Sequence, residues 1–288
     1  QTVEAMPVPT APIMAAAETP AVMPAVKPVK SIPILDCEGV FQQGGALLCQ
    51  TLPDALIKVG GLDIHADQNG RAIIGLDRDA GAKETLTVYA NGDDLALTKE
   101  TFNIAPREYN IQRIDGLPPS QVSTFTEAQL KHIRAASARK KAGFRSRVDE
   151  MGFADGFIYP LKTFKKTSPF GAQRILNGEP KNPHYGVDIA APKGTPIYAP
   201  ADGIVSLADA NLYFEGQMVM IDHGQGLNSL YLHMSEIDVK AGQKVKRGEQ
   251  IGAVGSTGRS TGPHLCWRLK WRNRNLDPEL LTKWPASE

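Results

Sequence analysis

Short apolar runs closed off by turn residues set the strongest limit on what this chain can fold into. Between residues 194 and 233 they read Gly194-Thr195-Pro196-Ile197-Tyr198, Gly203-Ile204-Val205-Ser206-Leu207, Met218-Val219-Met220-Ile221-Asp222 and Ser229-Leu230-Tyr231-Leu232-His233, separated by Gly, Asn or Asp. No helical period lasts beyond about two turns there, so the runs read as strands. The same texture marks residues 34–104: Ala46-Leu47-Leu48, Leu56-Ile57-Lys58-Val59 before Gly60-Gly61, Ala72-Ile73-Ile74 after Asn69-Gly70, and Thr85-Leu86-Thr87-Val88-Tyr89 before Asn91-Gly92. Strands at that spacing with Gly-Gly and Asn-Gly turns predict a small β-sandwich. The chain is therefore expected to be mainly β, and its 27 Gly and 21 Pro suit a molecule made of many turns.

Changes of texture divide the 288 residues. Residues 1–32, rich in Pro, Ala, Val and Met without apolar periodicity, read as a disordered tether. Residues 33–105 are the β-sandwich module, 106–155 a linker, 156–281 a second β domain of antiparallel strands, and 282–288 a tail. In the linker, Thr126 and Gln129 have capping-box spacing and Phe125 with Leu130 that of a hydrophobic staple, which predicts a helix beginning near Glu127. Lys131, Arg134, Arg139, Lys140, Lys141, Arg145 and Arg147 follow with no acidic residue among them, a basic segment suited to solvent or to an anionic polymer.

The net charge of +1 argues against nucleic acid or a bulk membrane surface as partner. No apolar run approaches the roughly 18 to 20 residues of a membrane span. The chain starts at Gln1, for which signal-peptide removal is the expectation. Cys37 and Cys49 stand close enough in sequence to pair in an oxidising compartment, or equally to remain buried thiols.

Candidate chemistry gathers in the second β domain. In extended backbone alternate side chains share a face, so His184 and Asp188 point one way, as do His264 and Cys266 about eighty residues later. Zinc hydrolases hold the ion with three protein ligands and leave a fourth position for water. His184 offers nitrogen, Asp188 oxygen and Cys266 thiolate sulfur. His264, roughly 6.8 Å along the strand from Cys266, is placed to act as general base. His233 ends another strand and could orient water or stabilise an oxyanion. His223, within Asp-His-Gly, suits a turn, and His65 stands alone. In the strand after His264, alternation sends Leu265, Trp267, Leu269 and Trp271 to a core face and leaves Cys266, Arg268, Lys270 and Arg272 on the other.

The wording around these residues is more specific than their spacing. His184-Tyr185-Gly186-Val187-Asp188, Gly194-Thr195-Pro196, Ala199-Pro200-Ala201-Asp202-Gly203, Ile221-Asp222-His223-Gly224, Tyr231-Leu232-His233, Gly242-Gln243-Lys244-Val245, Gly255-Ser256-Thr257-Gly258 and Thr261-Gly262-Pro263-His264-Leu265 occur in that order. Over about residues 156–281 the chain resembles the lysostaphin-like, LytM-type zinc metallopeptidases that cut peptide cross-links in peptidoglycan. The resemblance implies a small antiparallel β-sheet domain with Zn2+ in a groove. It implies His184 and Asp188 as ligands, His264 and His233 as catalytic groups, and an extracytoplasmic, for example periplasmic, location.

Where that family has its third ligand, a His, this chain has Cys266. Two readings follow. Either Cys266 completes a His-Asp-Cys zinc site in a working endopeptidase, or the domain is degenerate and binds peptidoglycan or activates other hydrolases. Arg174, Arg268 and Lys270 are candidates to meet the carboxylates of peptidoglycan stem peptides. Other cell-wall hydrolases or division proteins are conceivable partners.

Overall fold

A computed structural model describes residue 2, residues 33–115 and residues 125–284, and the turn-bounded runs are strands. The expected tether, apart from residue 2, and the tail beyond residue 284 lie outside the described residues, as do Pro118-Pro119 of the linker. The first seven strands are β1 (Asp36–Gly39), β2 (Ala46–Gln50), β3 (Leu56–Val59), β4 (Leu62–His65), β5 (Arg71–Gly75), β6 (Lys83–Tyr89) and β7 (Ala96–Asn103). They build two antiparallel sheets, ordered β1-β2-β5 and β4-β3-β6-β7. Ile57, Ile64, Leu86 and Val88 are fully buried on strands whose burial alternates, whereas Ala72, Ile73 and Ile74 of β5 are buried in succession. Cys37 and Cys49 face each other in the β1–β2 register and form a disulfide.

After β8 (Ile111–Ile114) comes α1 (Glu127–Gly143), which starts where the capping-box spacing places it. Thr126 Oγ1 accepts from the Gln129 amide, and Gln129 Oε1 accepts from the Thr126 amide at 2.8 Å. Phe125 packs edge-on against Tyr213 and Phe214. The basic run does not form one solvated face: Arg139 pairs with Asp209, Lys140 with Glu215 and Arg134 with Glu127.

The second half contains β9 (Lys165–Ser168), β10 (Gln173–Leu176), β11 (Glu179–Pro180), β12 (Gly186–Ala190), β13 (Pro196–Tyr198), β14 (Gly203–Leu212), β15 (Gly216–Asp222) and β16 (Leu227–Met234). It continues with β17 (Glu236–Ile237), β18 (Lys244–Val245), β19 (Gln250–Ala253), β20 (His264–Trp271), β21 (Arg274–Leu276) and the short α2 (Pro278–Leu281). The main sheet runs β18-β14-β15-β16-β20-β12-β9, with β21 on β20 and every neighbouring pair antiparallel. Strands β13, β19 and β17 make a smaller sheet, and β8 joins β10 in parallel.

The main sheet is covered on both faces. One face carries Val187, Val219, Ile221, Tyr231, Trp267 and Trp271 and shares a contiguous core with the N-terminal strands. The other carries Met218, Met220, Leu230, Leu232 and Cys266, packed with Ala136 of α1. The first contact is close: a Cβ at Gly75 would lie 2.9 Å from Trp271 Cβ, so only glycine lets β5 approach. Arg274 Nη1 donates to Gly75 O and to Glu84, at 2.8 and 2.7 Å. Gln225 closes a second clasp, accepting from the Ile73 amide and donating to Arg71 O. The N-terminal strands therefore pack against the face opposite His264 and Cys266. No helix among the described residues is long and apolar enough to cross a membrane.

Candidate metal centre

Strand pairing brings the candidate ligands together. Asp188 of β12 lies directly opposite Cys266 of β20, and directly opposed residues project from the same face. His184, two residues before β12, is held by its own backbone: its amide donates to Ala172 O at 2.7 Å, and its carbonyl accepts from the Gly171 amide at 2.8 Å. Its Nε2 then sits 3.1 Å from Asp188 Oδ1 and 3.3 Å from Cys266 Sγ. One donor atom from each of the three lies within 4.8 Å of the others.

That arrangement fits a metal ion. Tetrahedral zinc bonds of roughly 2.0 to 2.3 Å set neighbouring ligand atoms about 3.3 to 3.8 Å apart, close to the separations here. Asp188 Oδ1 is moreover buried and accepts no hydrogen bond of good geometry from the described residues. A buried carboxylate oxygen left without a donor calls for a cation. Burial alone would pull the His184 pKa down, but the adjoining Asp188 carboxylate and Cys266 sulfur outweigh burial and raise it to about 9. Burial conversely pushes Asp188 up, and the His184 bond with the His264 charge more than offsets this, holding the carboxyl below its usual range.

The arrangement also resembles a Cys–His pair for nucleophilic catalysis. Cys266 is only 2% exposed, however, on the floor of the cluster where a substrate carbonyl cannot reach its sulfur. Side chains of His184, Asp188 and His264 are 19, 26 and 17% exposed and form the open side.

Two further histidines are each fixed through Nδ1 by a backbone carbonyl. His264 Nδ1 lies 2.8 Å from Gly262 O and 3.2 Å from Ser260 Oγ. A carbonyl only accepts, so Nδ1 carries a proton there, and Nε2 is the ring nitrogen turned toward the cluster, 3.8 Å from Asp188 Oδ1. His233 repeats the pattern with Nδ1 2.8 Å from Thr257 O. Burial, aided by the charges of His264 and Arg268 against the Thr257 bond, lowers its pKa and keeps it neutral. It occupies the left-handed region at φ 65°, a conformation rare for a non-glycine residue, and its ring centre is 4.7 Å from that of His264.

The basic candidates separate. Arg268 turns back toward the cluster, its Nε donating to Cys266 Sγ at 3.3 Å. Lys270 lies 5.1 Å from the ring centre of Phe144, beside the end of α1, and Arg174 is exposed on β10. His223 is fully buried between Asp202 O and Ser229 Oγ, 2.7 Å from each, with no part in the cluster. Spacing gave no sign of Ser168, whose Oγ meets His184 Nδ1 at 3.3 Å, or of Ser260 behind His264. Ser168 ends β9, paired with β12, and Ser260 lies in the loop before β20, and neither long-range contact is encoded in local periodicity.

The family model of peptidase family M23 matches residues 182–278, which contain all five residues of the cluster and its histidine pair. The chain carries a peptidase M23 domain. A Haemophilus influenzae protein named an uncharacterized metalloprotease is 41% identical over 132 residues, 45% of this chain and 27% of that protein. The Vibrio cholerae peptidoglycan DD-endopeptidase ShyA is 50% identical over 95 residues, 33% of this chain and 22% of its own. The DD-carboxypeptidase/endopeptidase Mpg of Neisseria meningitidis is 40% identical over 121 residues, 42% of this chain and 28% of its own. This chain thus spans only about a quarter of the length of those curated relatives. A solved Pseudomonas aeruginosa structure assigned to peptidase M23 superposes with a TM-score of 0.65 at 28% identity, covering 84% of this chain and 95% of that one. The superposition extends well beyond the M23 domain, into the strands packed behind it.

Proposed function

We propose that this protein is a zinc-dependent endopeptidase that hydrolyses the peptide cross-links of peptidoglycan, with an atypical His-Asp-Cys ligand set. The observation that carries this reading is the convergence of His184 Nε2, Asp188 Oδ1 and Cys266 Sγ around one centre. The substrate class comes from the relatives named as peptidoglycan endopeptidases. Zinc bound there would polarise the scissile carbonyl and acidify a water. His264, its Nδ1–H fixed on Gly262 O, takes the water's proton at Nε2 and returns it to the leaving amine. His233, kept neutral and turned the same way, accepts a hydrogen bond at Nε2 and orients that water. Arg174, exposed near the His184 loop, would meet a stem-peptide carboxylate.

The Cys37–Cys49 disulfide fits an oxidising, extracytoplasmic location such as the periplasm. In this reading residues 1–32 tether the protein, 33–105 brace the back of the peptidase sheet, 106–155 link the two, and 156–281 are catalytic. Purified protein should hold about one zinc per chain and release soluble product from cross-linked muropeptides. Chelation, or Ala at His184, Asp188 or His264, should abolish release. Zinc-loaded protein that binds sacculi, releases nothing and ignores chelators would overturn the enzymatic reading in favour of a wall-binding or hydrolase-activating role.

A further inference from the structure

We propose that Arg268 is a positioning residue for the metal centre, acting through the sulfur of Cys266; the inference rests on the zinc reading above. Arg268 follows Cys266 by two residues on β20 and so stands on the same face. Its guanidinium does not extend to solvent but folds back, Nε donating to Cys266 Sγ at 3.3 Å. Among the described residues it forms no ion pair with a carboxylate, so the sulfur is its hydrogen-bond partner.

The opposing strand makes room for this pose. Gly186 lies directly across from Arg268, and a Cβ there would sit 2.5 Å from Arg268 Cγ and 2.7 Å from Trp267 O. Only glycine lets the arginine stem lie over β12 at that point. Gly186 and Arg268 therefore act as a pair, two residues before Asp188 and two after Cys266.

The chemistry explains why a thiolate ligand needs such a neighbour. Thiolate donates more charge to zinc than imidazole does and makes the ion a weaker Lewis acid. Neutral His184 with Asp188 and Cys266 as anions would bring a divalent ion to zero net charge. Arg268 adds one positive charge at the distance of a single hydrogen bond, and its N–H draws electron density from the sulfur. The same bond fixes the side-chain rotamer that aims Sγ at His184 and Asp188. Groups that hydrogen-bond a ligand tune a metal in this way, and removing them typically costs about 10- to 100-fold in affinity or activity.

The test uses the full chain loaded with Co2+, whose thiolate-to-cobalt charge-transfer band reports how strongly the sulfur donates. Arg268→Met should shift the band to longer wavelength and lower kcat about tenfold or more with little change in KM. Arg268→Lys, which keeps the charge without the planar fork, should give a smaller shift. Gly186→Ala, which displaces the arginine, should shift the band in the same direction as Arg268→Met. A band present in the parent and unmoved in these variants would overturn the role of Arg268 alone. No such band in the cobalt-loaded parent would remove Cys266 as a ligand and overturn both readings.

Discussion

Cys266 departs from the histidine that the resemblance leads one to expect, yet it faces Asp188 in register and lies within 3.3 Å of His184 Nε2. Cys266→Ser replaces a strong zinc ligand by a weak one and should lower zinc affinity by about 10- to 100-fold or more in competition with a chromophoric chelator. Cys266→His keeps a competent ligand and should retain one zinc and at least the parent's activity on muropeptides. A second residue-scale prediction concerns His223, buried and held near pKa 4 because burial disfavours its charged form. Asp202 O can only accept, so Nδ1 carries the proton and Nε2 accepts from Ser229, whose oxygen in turn accepts from Tyr231. The unfolded chain takes up a proton near the reference value of 6.5 while the folded chain does not until about 4. Stability from this group is therefore full above about pH 6.5 and is lost as pH falls toward 4, by on the order of 3 kcal/mol. Urea midpoints measured from pH 7 to pH 4 should fall, and His223→Gln should flatten that part of the profile while lowering stability at pH 7.

Among the elements, the loop before β12 decides where His184 stands, and residues far away in sequence hold it. Arg78, 5% exposed and stacked 4.1 Å from the Tyr109 ring centre, donates to Gly171 O through Nη2 at 2.8 Å, while the Gly171 amide holds His184 O. Arg78→Met leaves that carbonyl without its donor and should cost about 1 to 3 kcal/mol in urea unfolding. Zinc should also exchange faster from the variant, because the loop carrying His184 is freed. Helix α1 covers the ligand side of the sheet, with Ala136 packed among Leu230, Leu232 and Cys266. Thr126→Ala removes one bond of its capping box and should lower stability by about 1 kcal/mol without changing zinc content. Intact stoichiometry would separate this structural role from that of Arg78.

Across the whole molecule, what was legible in the sequence is what neighbouring residues decide. Strand runs, the start of α1 and the two faces of β20 follow from turn residues and alternation, and Trp267 and Trp271 lie on the core side as alternation requires. Asp188 and Cys266 share a face because they oppose each other in the β12–β20 pairing, whereas His184 stands in the loop before β12. The contacts that long loops bring together were not legible. Cys266 lies on the covered floor of the site because α1 crosses that face, and Arg268 reaches its sulfur only because Gly186, 82 positions earlier, leaves space. The basic run of α1 looked uniform because its partners Asp209 and Glu215 sit on β14 and in the turn after it. We propose that three side chains, from two strands and one loop, hold a single zinc ion. Anomalous X-ray scattering above and below the zinc edge, from crystals of the full chain, tests it most directly. A peak bonded to His184 Nε2, Asp188 Oδ1 and Cys266 Sγ is the predicted result; a peak that leaves Cys266 unbonded, or no peak at the site in zinc-equilibrated crystals, would contradict it.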